Sequence, residues 1–560
     1  MLAIIYIFNI RILGKTIIAS GYLYLLQSLI MPLVFLVNPA RPSHKHRLPW
    51  YDIIFSILCF VIPFYLFLNA IEIMIQGWEL RAPTVAYIMA LVYWPLILEA
   101  ARRTVGLFFC IFLSVVSIYP LFASIAPGMF KASNLSIHRL ASFHLFSGDS
   151  IMGLPMNIVG TMFIGFLLFA STLVATGASK AFLDFAMAIF GSVRGGTAKV
   201  GVVSSALVAS LSGGAVTNIM VTGPITIPAM KRTGYPPYYA AAIEACASTG
   251  GVLMPPVMGA AAFLMASFLN IPYFNVMVAA LVPISLYYVG LFMQADGFAA
   301  KAGIKGIPRS ELPPLKRSIL QMLPYVAAIV ILVILLAYLR RAAQAPFYGI
   351  VFLIVATIIR KETRMGLKGF INLFEEAGRL LVQIVPVLAG VGFVLGSLLI
   401  TGIAPTLSST LADLAGGNVI LLVVMAGIAS FILGMGLTVS ACYVILAVLV
   451  APSLVKLGLD ALAVHLFVLY CAMLSFITPP VAIGSYAAAI LAGASFMKVG
   501  FQSVRLGAVI FIIPFLFIWN PAFILHGSPL QIILTVVTGL LGVIVLASGL
   551  EGYLVGAGRL

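Results

Sequence analysis

Two short polar stretches, LSGGAVTN at residues 211–218 and STGGVLMPP at residues 248–256, interrupt an otherwise apolar part of the chain. A second pair, LGMGLTVS at residues 433–440 and LSFITPP at residues 474–480, repeats the order of a glycine-rich break followed by a double proline. The two double prolines lie 224 positions apart. Because a duplicated unit with broken apolar segments is typical of transporters, the sequence predicts a membrane protein built from two structural repeats.

Each glycine-rich break separates two apolar runs that are too short to cross a bilayer. Crossing about 30 Å of hydrocarbon takes roughly 20 helical residues. The short runs are Val202–Ser210 and Val216–Ile227 in the first copy, and Ile420–Phe431 and Thr438–Leu449 in the second. Two half-length helices that meet at a tip form a re-entrant hairpin, which is tolerated at membrane depth only where it is buried in protein or lines a cavity. We therefore predict breaks at Ser212–Gly214 and at Gly434–Gly436.

Each double proline predicts a broken helix with free main-chain oxygens. The prolines at 255–256 have no N–H, so the carbonyls of Gly251 and Val252 lose their helical donors. The second copy frees two carbonyls in the same way. Carbonyl and hydroxyl oxygens suit a small alkali cation such as Na⁺, by analogy with other broken-helix transporters. The predicted cation-site residues are Ser248, Thr249, Gly250, Gly251, Val252, Pro255, Pro256, Ser475, Phe476, Thr478 and Pro479.

The half-helices that begin after Gly214 and Gly436 point their positive ends inward, which favours an anionic substrate. A lone double proline in a membrane helix is often only a kink. Two of them in register, each preceded by a glycine-rich break, favour a functional site.

Glu244 is the lone acid near the first break. It is either a proton or cation coupling site, or a structural acid that is hydrogen-bonded at a helix end. The second copy has no acid in the same region, around Tyr470–Met473.

The composition supports a multi-pass membrane protein. Of 560 residues, 63% are hydrophobic and only 8% are charged, against the ~25% that is typical of soluble domains. The mean hydropathy is +1.18. These values exclude a soluble enzyme, a nucleic-acid-binding module and a disordered scaffold, and the apolar runs predict roughly 14–17 membrane segments. The net charge of +16 fits basic loops that stay on the cytoplasmic side, and we place 301–317 there.

No catalytic or transition-metal pattern stands out. The five cysteines lie inside apolar stretches without a CxxC pair, and the six histidines form no cluster. A GxxxxGK[ST] motif for an ATP-driven pump is absent, and no Ser/His or Asp/Asp pair supports an intramembrane hydrolase. The sequence therefore predicts no enzyme and no cofactor beyond Na⁺ as coupling ion. A channel or facilitator without ion coupling is the alternative function.

Two amphipathic stretches, 178–199 and 366–380, are predicted to lie along the membrane interface as arms between moving and fixed parts. The alternative for each is an ordinary surface helix.

The residues around both breaks resemble a known family. The stretch Ser192–Ala266, with SLSGGAVTNIMVTGP and STGGVLMPPVMGAAAF, and the stretch Leu433–Ala489 are similar to the large membrane subunit of tripartite ATP-independent periplasmic (TRAP) transporters. The segments before them, with EAARR at residues 99–103, resemble the small membrane subunit. The chain thus resembles the fused permease that pairs with a TAXI-type periplasmic binding protein.

The resemblance implies an all-α polytopic protein of the elevator type in the bacterial inner membrane. Residues 1–146 would form the small-subunit-like scaffold. Residues 147–502 would form the transport region, with repeats at about 190–300 and 400–502. Residues 503–560 would form a hydrophobic extension. Na⁺ entry would drive the uptake of an organic anion, commonly a carboxylate, delivered by the binding protein.

By position, the resemblance also implies which residues form the substrate-facing hairpin tips. They are Ser212, Gly213, Gly214, Thr217, Asn218, Gly434, Gly436, Thr438 and Ser440. The first tip has SGG where family members often have SGS, so it lacks one hydroxyl.

Overall fold

The computed structural model describes residues 1–11, 14, 16–40, 48–339, 341–359 and 366–559, with Ser212 described for its backbone only. Helices dominate the described chain. The first fourteen are α1 (Leu2–Ile7), α2 (Ala19–Val37), α3 (Trp50–Leu68), α4 (Ala70–Gln76), α5 (Thr84–Thr104), α6 (Leu107–Ile118), α7 (Ile137–Phe146), α8 (Leu154–Ile158), α9 (Ile164–Ala175), α10 (Ala178–Phe190), α11 (Gly196–Ser212), α12 (Ala215–Arg232), α13 (Pro237–Gly250) and α14 (Ala260–Phe268).

The remaining helices are α15 (Tyr273–Ala302), α16 (Leu315–Tyr338), α17 (Ala345–Ile359), α18 (Leu367–Ile400), α19 (Ile403–Leu414), α20 (Val419–Gly436), α21 (Val439–Leu449), α22 (Ala451–Lys456), α23 (Ala461–Met473), α24 (Ile483–Ala492), α25 (Phe496–Leu506), α26 (Ala508–Trp519) and α27 (Pro529–Glu551). Two short strands, β1 (Tyr553–Leu554) and β2 (Gly558–Arg559), pair antiparallel after α27.

Ten helical segments of the described residues are long and apolar enough to cross a membrane. Six shorter apolar helices accompany them, and these include α11 of the first predicted hairpin, α21 of the second, and α23 and α24 on either side of the second double proline. The structure therefore confirms an all-α polytopic fold in which full-length and half-length apolar helices occur together.

The chain divides into two compact units. The first comprises Met1–Gly165, Phe374–Ala426 and Gly436–Leu457. Within it, α2 packs along α3, and α5 packs against α6 and α7. A buried ion pair joins Arg103 of α5 to Asp52 of α3 at 2.6 Å, and Arg103 also bonds Glu99 at 2.8 Å. The EAARR stretch thus links α5 to α3 through Arg103.

The second unit comprises Phe166–Leu373, Gly427–Met435 and Gly458–Leu560. Helix α13 lies at its centre and contacts α11, α12, α24 and α25, while α27 packs along α15. The twelve residues from Tyr239 to Gly250 of α13 are all buried, because small side chains allow neighbouring helices to approach closely. The predicted division into a scaffold, a transport region and an extension, with boundaries at residues 146 and 502, describes functional roles and remains a prediction.

The predicted interface helix at 178–199 is wrong in its extent. Helix α10 ends at Phe190, and Gly195, with φ +63°, begins a new helix. Lys199 therefore belongs to α11, where its Nζ lies 2.5 Å from Asp296 Oδ1 in a buried ion pair. On α10 itself, burial raises the pKa of the Asp184 carboxyl, while the charges of Lys180 and Arg317 act in the opposite direction.

The second predicted interface helix, 366–380, is not a separate element either. It forms the start of α18, which continues to Ile400. Its polar residues stay on the helix surface, where Arg379 bonds Glu375 four residues earlier at 2.8 Å. With no left-handed residue between 367 and 400, nothing separates the amphipathic part from the apolar part.

The second predicted hairpin break lies later than expected. Gly434 and Gly436 belong to α20, and the interruption falls at Leu437 and Thr438. Gly434 does not form the turn. It allows α20 to pack closely against α23, because a Cβ atom there would lie 2.4 Å from the Ala472 carbonyl oxygen. Thr438 begins the next half-helix by accepting a hydrogen bond from the Ala441 N–H at 3.3 Å.

Candidate ion and substrate site

The first hairpin turns at Gly213 and Gly214. Gly213 has φ +60°, and a Cβ atom there would lie 2.4 Å from the Met258 carbonyl oxygen, so only glycine fits. The tip therefore rests on the loop that follows the first double proline. A hydrogen bond from the Val257 N–H to the Ser210 carbonyl, 3.3 Å long, joins the same two segments.

Both double prolines interrupt a helix, as the sequence predicts. Helix α13 continues into a 3-10 turn at Gly251–Leu253, and α14 begins only at Ala260. Helix α23 continues into a 3-10 turn at Leu474–Phe476, and α24 begins at Ile483. The two proline–proline peptides are cis.

The prediction of free carbonyls is wrong for the first loop. The Gly251 carbonyl accepts from the Met254 N–H at 3.1 Å, and the Val252 carbonyl accepts from the Gly259 N–H at 2.8 Å. The chain reverses direction after the prolines, so donors from beyond them replace the missing helical ones. The carbonyl oxygens of Gly251 and Val252 therefore already accept hydrogen bonds.

The second loop differs. Among the described residues, no N–H or side chain donates to the carbonyl of Ser475 or of Phe476. The neighbouring hydroxyls are anchored, because Ser475 donates to the Ala472 carbonyl at 2.9 Å and Thr478 donates to the Leu474 carbonyl at 2.7 Å. A hydroxyl that donates its hydrogen keeps its lone pairs available to a cation.

The two loops converge beside Gly484, where α24 packs against α13. A Cβ atom on Gly484 would lie 3.1 Å from the Phe476 carbonyl oxygen and 3.6 Å from Thr249 Oγ1. Thr249 donates its own hydrogen to the Ala245 carbonyl at 2.7 Å. One oxygen from each loop thus lies next to Gly484, and the Ile219 Cδ1 atom lies at 3.6 Å from the same Cβ position.

Glu244 lies in the middle of α13, not at a helix end, and is fully buried. Four hydroxyl groups donate to its carboxylate. They belong to Ser205 at 2.8 Å, Thr222 at 2.5 Å, Thr226 at 2.5 Å and Ser248 at 3.2 Å. This shell stabilises a carboxyl group without a basic partner. The hydrogen-bonded description of Glu244 fits the structure, and its coupling role stays a prediction.

Asn218 links the first tip to this shell. Its Nδ2 donates to the Ser205 carbonyl at 3.2 Å and to Ser248 Oγ at 2.9 Å. Its Oδ1 is buried and has no hydrogen-bond partner among the described residues. An unbonded buried oxygen is costly unless something occupies it, so Asn218 Oδ1 is a further candidate ligand.

The other tip residues are described separately. Thr217 and Ser440 are partly buried, and the side chain of Ser212 lies outside the described residues. Thr438 and Ser440 belong to the first unit, whereas Gly434 belongs to the second.

Sequence reasoning missed Ser205, Thr222, Thr226 and Gly484. A signal for two of them was present, because residues 218, 222 and 226 are spaced four apart and share one face of α12. Gly484 carried no such signal, since its role depends on where the second loop returns. In the described chain, no three His, Cys, Asp or Glu side chains form a metal-binding group.

Interrupted apolar helices and a buried carboxylate are typical of membrane transporters. Comparison with known proteins agrees. The family described as "Tripartite ATP-independent periplasmic transporter, DctM component" matches residues 92–532, and the chain belongs to this family. Its membership and its ten apolar spans indicate a multi-pass protein of the inner membrane, from a family whose members work with a periplasmic substrate-binding protein.

Two relatives show how far the likeness extends. The isethionate TRAP transporter permease protein DctMQ of Oleidesulfovibrio alaskensis is 26% identical over 372 residues, which cover 65% of this chain and 56% of that protein. The C4-dicarboxylate TRAP transporter large permease protein DctM of Pseudomonas aeruginosa is 25% identical over 372 residues, which cover 64% of this chain and 85% of that protein. The chain therefore spans little more than half the length of the first of these relatives.

A crystal structure of the Alcanivorax borkumensis YdaH transporter matches 73% of this chain and 96% of its own, with a TM-score of 0.49 and 16% identity. A likeness of that size carries no argument about function.

Proposed function

We propose that the protein is a Na⁺-coupled secondary transporter that takes up an organic anion delivered by a periplasmic binding protein, by an elevator movement. The observation that carries the proposal is that Phe476 O and Thr249 Oγ1, one from each double-proline region, both lie next to Gly484. Na⁺ prefers hard oxygen ligands, and unwound backbone supplies them in broken-helix transporters.

The oxygen set divides between the two copies. The second loop offers the unbonded carbonyls of Ser475 and Phe476, and the first copy offers Thr249 Oγ1 and Asn218 Oδ1. We assign the ion to these four oxygen-bearing residues. The other predicted loop residues, Gly251 and Val252 among them, shape the backbone around it.

Two observations support an anionic substrate: the positive helix ends at the tips and the substrates for which relatives are named. The start of α12 at Ala215 and of α21 at Val439 places positive helix ends at both tips. Relatives are named for isethionate and for C4-dicarboxylates, which are anions with a sulfonate or carboxylate group. We propose an organic acid, most simply a carboxylate, and a binding protein of the TAXI type.

The test is transport by the full chain in proteoliposomes. Uptake of radiolabelled carboxylates and sulfonates is measured with the binding protein present or omitted, and with an inward Na⁺ gradient or equal Na⁺ on both sides. The proposal expects uptake only when both the gradient and the binding protein are present. Uptake that needs neither, and that saturates only at high concentration, supports the alternative of a channel or facilitator.

A matched pair of variants tests the ion site. Thr249→Val removes an oxygen beside Gly484, whereas Thr357→Val removes a buried threonine hydroxyl that, among the described residues, bonds only the Ile354 carbonyl in α17. The Na⁺ concentration for half-maximal activation is expected to rise several-fold in Thr249→Val and to stay unchanged in Thr357→Val. Equal Na⁺ activation in Thr249→Val and Thr357→Val contradicts the assignment.

Glu244 is proposed as a second coupling group. Glu244→Gln keeps the shape of the side chain but cannot carry the charge. A coupling acid predicts loss of ion-driven uptake while Tm is retained, whereas a purely structural acid predicts a lower Tm while coupling is retained.

A further inference from the structure

Within the second unit, a cavity of about 450 Å³ opens between the C-terminal extension and helices α13 and α15. Its wall comes from the beginning of α13, the end of α15, the end of α25 and the end of α27. The lining residues are Tyr238, Tyr239, Phe298, Lys301, Ala302, Gln502, Arg505 and Glu551. Neither the predicted ion site nor the hairpin tips reach this cavity, so the proposed transport function leaves it unexplained.

The charges in the cavity do not cancel. Glu551 is buried and is already bonded by Arg505 Nη2 at 2.7 Å and by the Tyr239 hydroxyl at 3.0 Å. Lys301 is exposed and uses one donor, to the Glu551 main-chain carbonyl at 2.8 Å. An ammonium group has three donors, so two remain for a ligand. Two cations against one engaged carboxylate leave a net positive charge that favours a monoanion.

The cavity lies where two helices that could span a membrane end, so we place it at the level of the lipid headgroups. Lys301 lies in the last turn of α15, and Glu551 ends α27, and both helices are long and apolar enough to span. Arg505 lies in the last turn of α25, a helix with the exposed apolar residues Met497 and Phe501. Basic side chains at helix ends on the predicted cytoplasmic side attract anionic lipid headgroups.

The remaining wall is aromatic and aliphatic. Tyr238 and Phe298 are partly exposed, and Ala302 is exposed at the end of α15. Apolar contact next to two cationic donors suits a phosphate group that is attached to a carbon skeleton, and the volume lies within the range of about 300–1,000 Å³ of small-molecule sites.

We infer that this cavity binds a phosphate-ester monoanion through Lys301 and Arg505, and that its occupant is the headgroup of an anionic phospholipid such as phosphatidylglycerol. The C-terminal extension completes the site, because Glu551 orients the Arg505 guanidinium and its carbonyl holds Lys301. The same chemistry is found in soluble phosphate esters, and the experiment separates the two sources.

The experiment uses the delipidated full chain in detergent. Tm is measured with phosphatidylglycerol, with phosphatidylcholine, with glycerol 3-phosphate and with inorganic phosphate, and bound lipid is counted by native mass spectrometry. The variants are Lys301→Gln, which removes one cation, and Ala302→Phe, which fills the cavity from an exposed position and removes no hydrogen bond. Lys305→Gln is the control, because this nearby exposed lysine does not line the cavity.

Phosphatidylglycerol is expected to raise Tm more than phosphatidylcholine and to add one retained lipid in the wild type and in Lys305→Gln. At least half of this shift is expected to disappear in Lys301→Gln and in Ala302→Phe. The same variant-sensitive shift with glycerol 3-phosphate assigns the site to a soluble phosphate ester. Two results overturn the inference. One is a Tm shift in Ala302→Phe equal to that of the wild type, and the other is that no anionic ligand raises Tm more than phosphatidylcholine does. Neither result depends on whether Lys301→Gln folds.

Discussion

The two double-proline loops share a sequence pattern but differ in what their backbones do. At the offset of 224 residues, Gly251 corresponds to Ser475 and Val252 to Phe476. In the first loop both carbonyls are bonded within the loop, whereas in the second both are unbonded among the described residues. The first copy also contains Glu244 with its shell of hydroxyls, and the second has no acid there. A duplicated motif can therefore keep the same backbone break in both copies while each copy offers different oxygen atoms to an ion.

The largest effect is expected where the first loop presses against its own hairpin. A Cβ atom on Gly251 would lie 1.9 Å from the Ala209 Cβ, inside a buried region. Gly251→Ala should lower the free energy of unfolding by about 3 kcal/mol or more, because the core has no room to expand. The equivalent change in the second loop, Ser475→Ala, removes only one hydrogen bond and should cost about 1 kcal/mol. Thermal unfolding of both variants checks the ranking, and similar losses would remove this difference between the loops.

The next effect concerns the first hairpin tip. Gly213→Ala introduces a left-handed alanine, at about 1–2 kcal/mol, and a clash with the Met258 carbonyl. Gly416 has nearly the same φ, +58°, but no atom within 4 Å of a Cβ atom, so Gly416→Ala carries the backbone cost alone. Gly213→Ala should therefore have the lower Tm of the two and should also lose transport. Equal Tm values would mean that the tip does not rest on the first loop.

A smaller effect is expected from the hydroxyl shell that only the first copy has. Ser248→Ala removes one donor to Glu244 and one acceptor for Asn218 Nδ2, at a cost of about 1–3 kcal/mol. Ser318→Ala is the matched control, because this buried serine donates only to the Pro314 carbonyl at 3.2 Å. If chemical denaturation ranks the two variants the other way round, the shell does not stabilise the first copy.

At Gly484, where the two loops meet, we expect the smallest change in stability and the largest change in the response to Na⁺. Gly484→Ala places a methyl group 3.1 Å from the Phe476 carbonyl oxygen, a distance that a shift of a few tenths of an ångström relieves. Stability should change by less than about 1 kcal/mol, while half-maximal Na⁺ activation should move several-fold. Gly542→Ala in α27, where a Cβ atom meets nothing within 4 Å, should leave Na⁺ activation unchanged. An unchanged ion response in Gly484→Ala places the ion elsewhere.

Much of the fold could be predicted from the sequence, since apolar runs, glycine-rich breaks and double prolines are local signals. The second hairpin shows where that reasoning failed. The glycines at 434 and 436 suggested the break, yet the chain interrupts at Leu437 and Thr438, the positions that the 224-residue offset pairs with Gly213 and Gly214. The repeat offset was the better guide, because Gly434 is needed for close contact with Ala472.

The sequence by itself determined that this is a duplicated, multi-pass helical protein with two helices broken at double prolines, because proline removes donors and hydropathy sets where helices lie whatever the surroundings. Tertiary structure alone decided which freed carbonyls stay free, since the replacement donors at Met254 and Gly259 come from a chain reversal. It also decided that Thr222 and Thr226 surround Glu244, because contacts between separate helices depend on how those helices pack.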